Sequence, residues 1–98
     1  MIYKIFFSPE ADYDMFELEY YIRNVLKSPI TASQYMNDLN TTILKLAVFA
    51  NAISFNKYVQ KQFGANARHI NFKKMSIVYF VEEDVVFIKR VIPASLIY

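Results

Sequence analysis

The chain has 98 residues, of which 55% are apolar and 17% aromatic, so it fits one packed domain over residues 1–98 and excludes a second domain or extended disorder. Its formal net charge of +2 is unevenly distributed, because residues 1–55 carry four Lys/Arg against six Asp/Glu and residues 56–98 carry seven against three. The absence of cysteine excludes a disulfide framework and a thiolate zinc site, and it fits a cytoplasmic protein.

The N-terminal segment predicts a strand followed directly by a helix. Residues 3–7 form an aromatic and β-branched run that ends at Ser8-Pro9. The Ser8 hydroxyl can cap the free amides of a helix, and Pro9 suits the first helical position. Apolar residues at three- and four-residue spacing then predict a helix over residues 9–26. Its expected buried stripe is Ala11, Met15, Leu18, Ile22, Val25 and Leu26.

A second helix is predicted after Ser28-Pro29, where the proline disfavours helical geometry at the residue before it. The hydroxyl of Thr31 or Ser33 can cap this helix. The most apolar stretch, residues 43–55, contains a lysine and an asparagine, and the N-terminus has no signal-peptide pattern, so we expect neither membrane spanning nor secretion. The expected buried positions are Ala32, Met36, Leu39, Ile43, Leu46 and Ala50.

The second half of the chain predicts a loop and then a sheet. Residues 51–66 lose periodicity and are typical of a loop with one short helical turn at 58–63. Short polar breaks then separate strands predicted over residues 68–73, 76–82 and 85–92. We therefore expect an α+β fold, with an N-terminal strand and an antiparallel two-helix hairpin packed on a mainly antiparallel sheet that a C-terminal three-strand meander completes.

The last two predicted strands are apolar on both faces. Two helices can cover only one of these faces, so the other should be closed by a partner or left as an apolar groove. The expected partner-binding residues are Val78, Phe80 and Phe87 of this face, together with Lys89 and Tyr98.

Four residues of the basic half are candidates for acid–base or phosphate chemistry. His69 is the only histidine, and an ordinary pKa of about 6.5 would suit a general acid or base. Arg68, Lys73 and Arg90 could supply positive charge for a phosphate or for an acidic partner. Three of them have a simpler interpretation: His69 as an exposed or partner-facing residue, Lys73 as a solvated turn, and Arg90, which interrupts an apolar strand, as one half of an ion pair.

Other kinds of site are disfavoured. The acidic run 82–84 is typical of a hairpin turn, so we expect no metal. With one glycine, no phosphate-binding loop can be built, so we expect no cofactor. Aromatic residues at helical spacing favour a core or an interface over base stacking.

The order of these elements, together with Ser8-Pro9-Glu10-Ala11 opening the first helix, resembles the RelE/ParE toxins of the plasmid stabilisation family. Further similar positions are Tyr21-Ile22, Ser28-Pro29, Ala32, Ile43, Leu46, Arg68, Ile77-Val78-Tyr79 and Arg90-Val91-Ile92. The resemblance implies the toxin of a type II toxin–antitoxin pair, which forms a hetero-oligomer with an antitoxin whose extended segment wraps the toxin. It also implies a target, which is DNA gyrase for ParE-like members and messenger RNA in the ribosome for RelE-like members.

Two departures favour the ParE-like branch. The RelE-like nucleases carry an Arg after the aromatic residue that opens the third strand, where this chain has Met75-Ser76, and they carry a basic segment with a Tyr after the last strand. Here residues 93–98 contain no Lys or Arg, although Tyr98 could correspond to that tyrosine. Two alternatives stay open: a metal-independent ribosome-dependent endoribonuclease that uses Arg68, His69, Lys73 and Arg90, and an inactive member that only binds antitoxin.

Overall fold

The structure, a computed structural model, describes residues 2–97 and contains four strands. Strand β1 (Lys4–Phe7) leads into helix α1 (Pro9–Tyr20), which continues as a π-helical turn over Tyr21–Val25. The rest of the helical layer comprises α2 (Pro29–Leu44), the short α3 (Leu46–Phe49) and a 3₁₀ turn at Ala50–Ala52. Next come α4 (Lys57–Phe63), β2 (Arg68–Phe72), β3 (Met75–Glu82), β4 (Val85–Pro93) and a final 3₁₀ turn at Ala94–Leu96.

The strands form one sheet in the order β1-β4-β3-β2. The three C-terminal strands make the predicted antiparallel meander, and β1 joins its edge parallel to β4. The α+β fold, the N-terminal strand and the short helix before the meander are thus confirmed.

Helix α1 begins as the sequence predicts, but its end differs. The Ser8 hydroxyl accepts from the Ala11 amide at 3.0 Å, and Pro9 occupies the first turn. The prediction that Val25 and Leu26 are buried is wrong, because they are 57% and 56% exposed. A π-helical turn holds more residues than an α-helical turn, so the last positions of a stripe drawn at 3.6 residues per turn rotate away from the core.

Helix α2 and its continuation supply most of the helical side of the core. All six predicted positions of this stripe are buried, which confirms the pattern. The predicted cap is wrong: the helix begins at Pro29, so Thr31 and Ser33 lie inside it, and Ser28 at the cap position makes no side-chain cap bond. A proline at the first position has no amide hydrogen, which leaves one fewer donor for a cap to satisfy.

The main core lies between these helices and one face of the sheet. Its sheet side is contributed chiefly by β3 and β4, and its helical side by α2 and α3. Members buried on both sides include Leu39, Ile43, Leu46, Ile77, Tyr79, Val86 and Ile88.

The second face of the sheet is partly closed by the chain itself, which corrects the expectation that a partner closes it or that it is left as an apolar groove. Val59 of α4 and Ile97, which follows the last 3₁₀ turn, pack on Val78 and Ile92 in a separate apolar cluster. The side-chain amide oxygen of Asn56 caps α4 by accepting from the amides of Tyr58 and Val59 at 2.9 and 3.2 Å. Sequence periodicity missed this cover because a seven-residue helix has too few turns to display a stripe.

Across residues 2–97, no helix is long and apolar enough to cross a membrane.

Candidate functional site

The uncovered part of the second sheet face carries three phenylalanines and a neighbouring valine. We call this surface the aromatic patch (Phe6, Phe80, Val85 and Phe87). Phe6 on β1 and Phe80 on β3 both pair in register with Phe87 on β4. The rings of Phe6 and Phe87 stack with centroids 6.1 Å apart, yet these residues are 51% and 41% exposed. Exposed aromatic side chains that touch one another on a sheet face are typical of an interaction surface.

Acidic residues border the aromatic patch at the turn between β3 and β4. Glu82 and Glu83 line an open hollow of about 570 Å³ together with Val85 and Phe87, and we call this the acidic hollow. Glu83 has a left-handed backbone with φ of 54°, a conformation that costs a non-glycine residue about 1 kcal/mol or more. Among the described residues, Asp84 pairs with Lys4 at 3.8 Å, whereas neither glutamate forms a salt bridge.

Helix α4 lies on the same sheet face, beyond Phe80, and forms a basic ridge (Lys57 and Lys61). Val59 points down into the second cluster and is fully buried. Lys57 and Lys61 are four residues apart and both exposed, so they share the outward side of the helix. Within residues 2–97 neither lysine forms a salt bridge, although the Lys57 ammonium lies 5.4 Å from the ring centre of Tyr58. This face therefore has negative charge at one end and positive charge at the other, and neither is neutralised by an ion pair.

Arg68 holds a loop to the sheet on the helix-covered side. Its Nη1 donates to the Ala50 carbonyl at 2.9 Å and to Asn51 Oδ1 at 3.0 Å, and its guanidinium lies 4.3 Å from the ring centre of Phe55. The Tyr79 hydroxyl donates to the same carbonyl at 2.8 Å. Burial raises the pKa of Tyr79 to about 12, although nearby Arg68 opposes that shift, so this hydroxyl stays protonated at neutral pH.

His69 projects from the opposite face of β2. Its Nδ1 lies 2.7 Å from the hydroxyl of Ser76, which is fully buried. Partial burial lowers the pKa of His69 below its usual value, because an apolar environment disfavours the charged imidazolium. Because Ser76 is buried, it cannot act on a substrate as a nucleophile. Its contact with Nδ1 instead fixes the orientation of the imidazole ring.

Arg90 forms the ion pair that a cation in an apolar strand requires. Its Nε and Nη2 donate to the two carboxylate oxygens of Asp14 at 2.7 and 3.0 Å. The Val91 amide donates to the same carboxylate at 2.9 Å. The register between β3 and β4 shifts next to Arg90 and leaves Lys89 without a cross-strand partner, which turns Arg90 towards α1. Hydrogen bonding to Asp14 raises the pKa of Arg90, so it remains a cation.

The four predicted catalytic residues do not converge. Arg68 and His69 lie on opposite sheet faces by strand alternation, and Arg90 lies two strands away from His69. Lys73 lies in the β2–β3 turn with φ of 53°, where its ammonium is 5.1 Å from the ring centre of Tyr35. The described residues also contain no group of three or more His, Asp or Glu that could hold a metal ion.

The predicted partner-binding residues are only partly accessible. Val78 is fully buried beneath α4, so a partner cannot touch it in this conformation, and Phe80 is partly buried. Phe87 and Lys89 are exposed. Tyr98 lies outside the described residues.

A second exposed surface is the α1 ridge (Tyr13, Phe16, Tyr20 and Tyr21), whose aromatic residues the sequence assigned to a core or an interface. These four residues are 61%, 62%, 54% and 51% exposed. Tyr13, Phe16 and Tyr20 repeat at three- and four-residue spacing, out of phase with the buried stripe that starts at Ala11. Their exposure shows that this second stripe is not part of the core, which leaves the interface interpretation.

Comparisons with known proteins agree with the fold. No family model matches the chain, and no curated protein matches its sequence. The chain is similar to a solved structure described as the chromosomal ParDE TA system from P. aeruginosa, with a TM-score of 0.76 and 17% sequence identity. The alignment covers 94% of this chain and 96% of that chain. At this identity the similarity establishes the fold, which is the one expected from the RelE/ParE resemblance.

Proposed function

We propose that this chain is the toxin of a type II toxin–antitoxin pair and that a cognate antitoxin holds it inactive. The observation that carries the proposal is the fold shared with a chain of a ParDE TA system over nearly the whole length of both chains. The exposed apolar surfaces support it independently, because a monomer of this size rarely leaves two aromatic surfaces without a partner.

The antitoxin would cover the aromatic patch, with Phe87 and Lys89 as direct contacts and the partly buried Phe80 beside Phe87 on the next strand. The α1 ridge offers a second anchoring surface for a chain long enough to wrap around the domain. Exposed aromatic side chains bury a large area with few rotatable bonds, so they are suited to anchor such a segment.

We further propose that the toxin acts in the ParE-like way, by binding DNA gyrase rather than by cutting RNA. Metal-independent RNA cleavage requires a base, an acid and positive charge around one phosphate. In this structure Arg68 and Arg90 are engaged in contacts that hold the fold, and His69 faces away from Arg68. The endoribonuclease remains the alternative to be tested.

The first experiment is to induce the chain in a bacterium and pulse-label DNA and protein synthesis over the first minutes. We expect growth arrest in which DNA synthesis falls first, and we expect co-expression of the neighbouring small reading frame to restore growth. An early collapse of amino-acid incorporation would instead identify the ribosome as the target. Induction that leaves growth unchanged would contradict a toxin and leave only an antitoxin-binding protein.

Point variants separate the two mechanisms. His69→Ala and Lys73→Ala remove acid–base and cationic groups without touching the loop that Arg68 holds. We expect both variants to remain toxic, and their thermal unfolding would verify that they are folded. A folded variant that lost toxicity while retaining antitoxin affinity would favour the endoribonuclease. Arg68→Ala is a poorer test, because losing its bonds to Ala50 and Asn51 would lower toxicity through stability alone.

A further inference from the structure

The second sheet face combines features that complement one another when two copies are placed face to face. The acidic hollow lies at one end of the aromatic patch, and the basic ridge lies at the other. The acidic hollow is concave and negatively charged, and the basic ridge is raised and positively charged. None of the four charged side chains involved has a salt-bridge partner among the described residues.

We propose that this face is a self-association surface, on which the basic ridge of one copy enters the acidic hollow of a second copy. The inference goes beyond the proposed function and does not depend on it.

A twofold axis near Phe87 produces this arrangement. A twofold interface uses the same surface on both subunits, so each contact occurs twice. With the strands of the two copies antiparallel, each basic ridge faces the partner's acidic hollow, and the two aromatic patches meet in the centre. The exposed rings of Phe6 and Phe87 then leave water, and the four glutamates of the dimer lie opposite four lysines.

The size of the surface sets the expected strength of the dimer. The patch has few exposed apolar side chains, and a stable interface usually buries about 800 Å² per partner, so the contact falls at the weak end of that range. Ion pairs at an exposed rim add little affinity each, but juxtaposed like charges are strongly unfavourable. We therefore expect a reversible dimer that weakens as ionic strength rises.

The test begins with sedimentation equilibrium of the intact chain over a wide concentration range. We expect a monomer–dimer equilibrium whose dissociation constant rises with salt. A chain that stays monomeric up to about 1 mM would overturn the proposal.

Charge reversal then tests which surfaces meet. Glu82→Lys/Glu83→Lys makes the hollow positive, and Lys57→Glu/Lys61→Glu makes the ridge negative. Each double variant places like charges opposite one another in its own dimer, so we expect its dissociation constant to rise about tenfold or more. An equimolar mixture of the two variants restores both attractive contacts, and we expect heterodimers with close to the original affinity.

The mixture protects the test against misfolding, because damaged variants would not recover on mixing. Lys45→Glu, on the helical side of the domain, is the matched control and should leave dimerisation unchanged. Dimers that persist in both double variants, or a mixture that fails to recover although both variants are folded, would show that the two copies meet elsewhere.

Discussion

Asp14 links the first helix to the last strand through a single carboxylate. Its side chain is 12% exposed and accepts three hydrogen bonds, two from Arg90 and one from the Val91 amide. Asp14→Ala leaves a partly buried cation and an amide without their acceptor, so we expect the free energy of unfolding to fall by about 2–3 kcal/mol. The decrease should lie near the lower end of this range, because Arg90 is 37% exposed and water screens its charge. Urea denaturation measures the change.

The matched control for this substitution is Asp38→Ala on the solvent side of α2, which should change the free energy of unfolding by less than about 0.5 kcal/mol. Equal effects of the two substitutions would mean that the Asp14–Arg90 pair contributes no more than an exposed charge.

His69 should make stability depend on pH in a predictable direction. Partial burial lowers its pKa in the folded state, so between the folded and unfolded pKa values the unfolded chain binds more protons. The stabilising contribution is therefore complete above the unfolded pKa of about 6.5 and is lost as the pH falls from there towards the folded pKa. Because the chain has one histidine, His69→Asn should flatten this part of the profile.

Urea denaturation of both proteins at several pH values between about 5.5 and 7.5 measures this dependence. A wild-type profile that is no steeper than that of His69→Asn would show that the imidazole is equally solvated in both states.

Helix α4 depends on its N-terminal cap more than the longer helices do, because seven residues provide few internal hydrogen bonds. Asn56→Ala removes the acceptor for the amides of Tyr58 and Val59 and should lower the free energy of unfolding by about 1 kcal/mol. We also expect faster hydrogen exchange within α4 than in α2. Asn66→Ala, in the turn after the helix, is the control. Unchanged exchange in α4 would mean that packing of Val59 alone holds the helix.

What the sequence could predict depends on whether the signal is local. The strands and the buried stripe of α2 follow from periodicity within the segment itself, and Ser8-Pro9 marks the start of α1 from two adjacent residues. The π-helical turn was not predictable, because the apolar spacing through Leu26 is that of an ordinary α-helix. The Asp14–Arg90 pair joins residues 76 positions apart, so sequence showed only that Arg90 needed a partner.

The candidate site was predictable in part for the same reason. Strand alternation correctly separated His69 from the core side of β2, and it placed Phe80 and Phe87 on the second face. It could not reveal that α4 folds back over Val78, because that contact depends on the path of the loop between residues 50 and 56. The exposed surface is therefore smaller than expected, and it has a basic border that strand patterns alone do not contain.

At the scale of the whole molecule, β1 pairs with only part of β4, and residues at the cap and in the first half of α1 form hydrogen bonds with the rest of that strand. β1 pairs with β4 from Val85 to Ile88, and beyond that point the edge of β4 is satisfied by Ser8, whose hydroxyl donates to the Lys89 carbonyl, and by Asp14. This part of β4 therefore has fewer free backbone groups with which a further strand could pair.

If the proposed antitoxin and a second copy both use the aromatic patch, the two binding events must compete. The proposed antitoxin then has to displace the dimer, so its apparent affinity should weaken as the concentration of this chain exceeds the dimer dissociation constant. The Glu82→Lys/Glu83→Lys variant, being largely monomeric, should show no such dependence. Calorimetric titration of the wild-type chain and of this variant, each at a low and a high concentration, measures this difference. Wild-type affinity that is the same at both concentrations, in a chain shown to dimerise, would place the antitoxin on the α1 ridge alone.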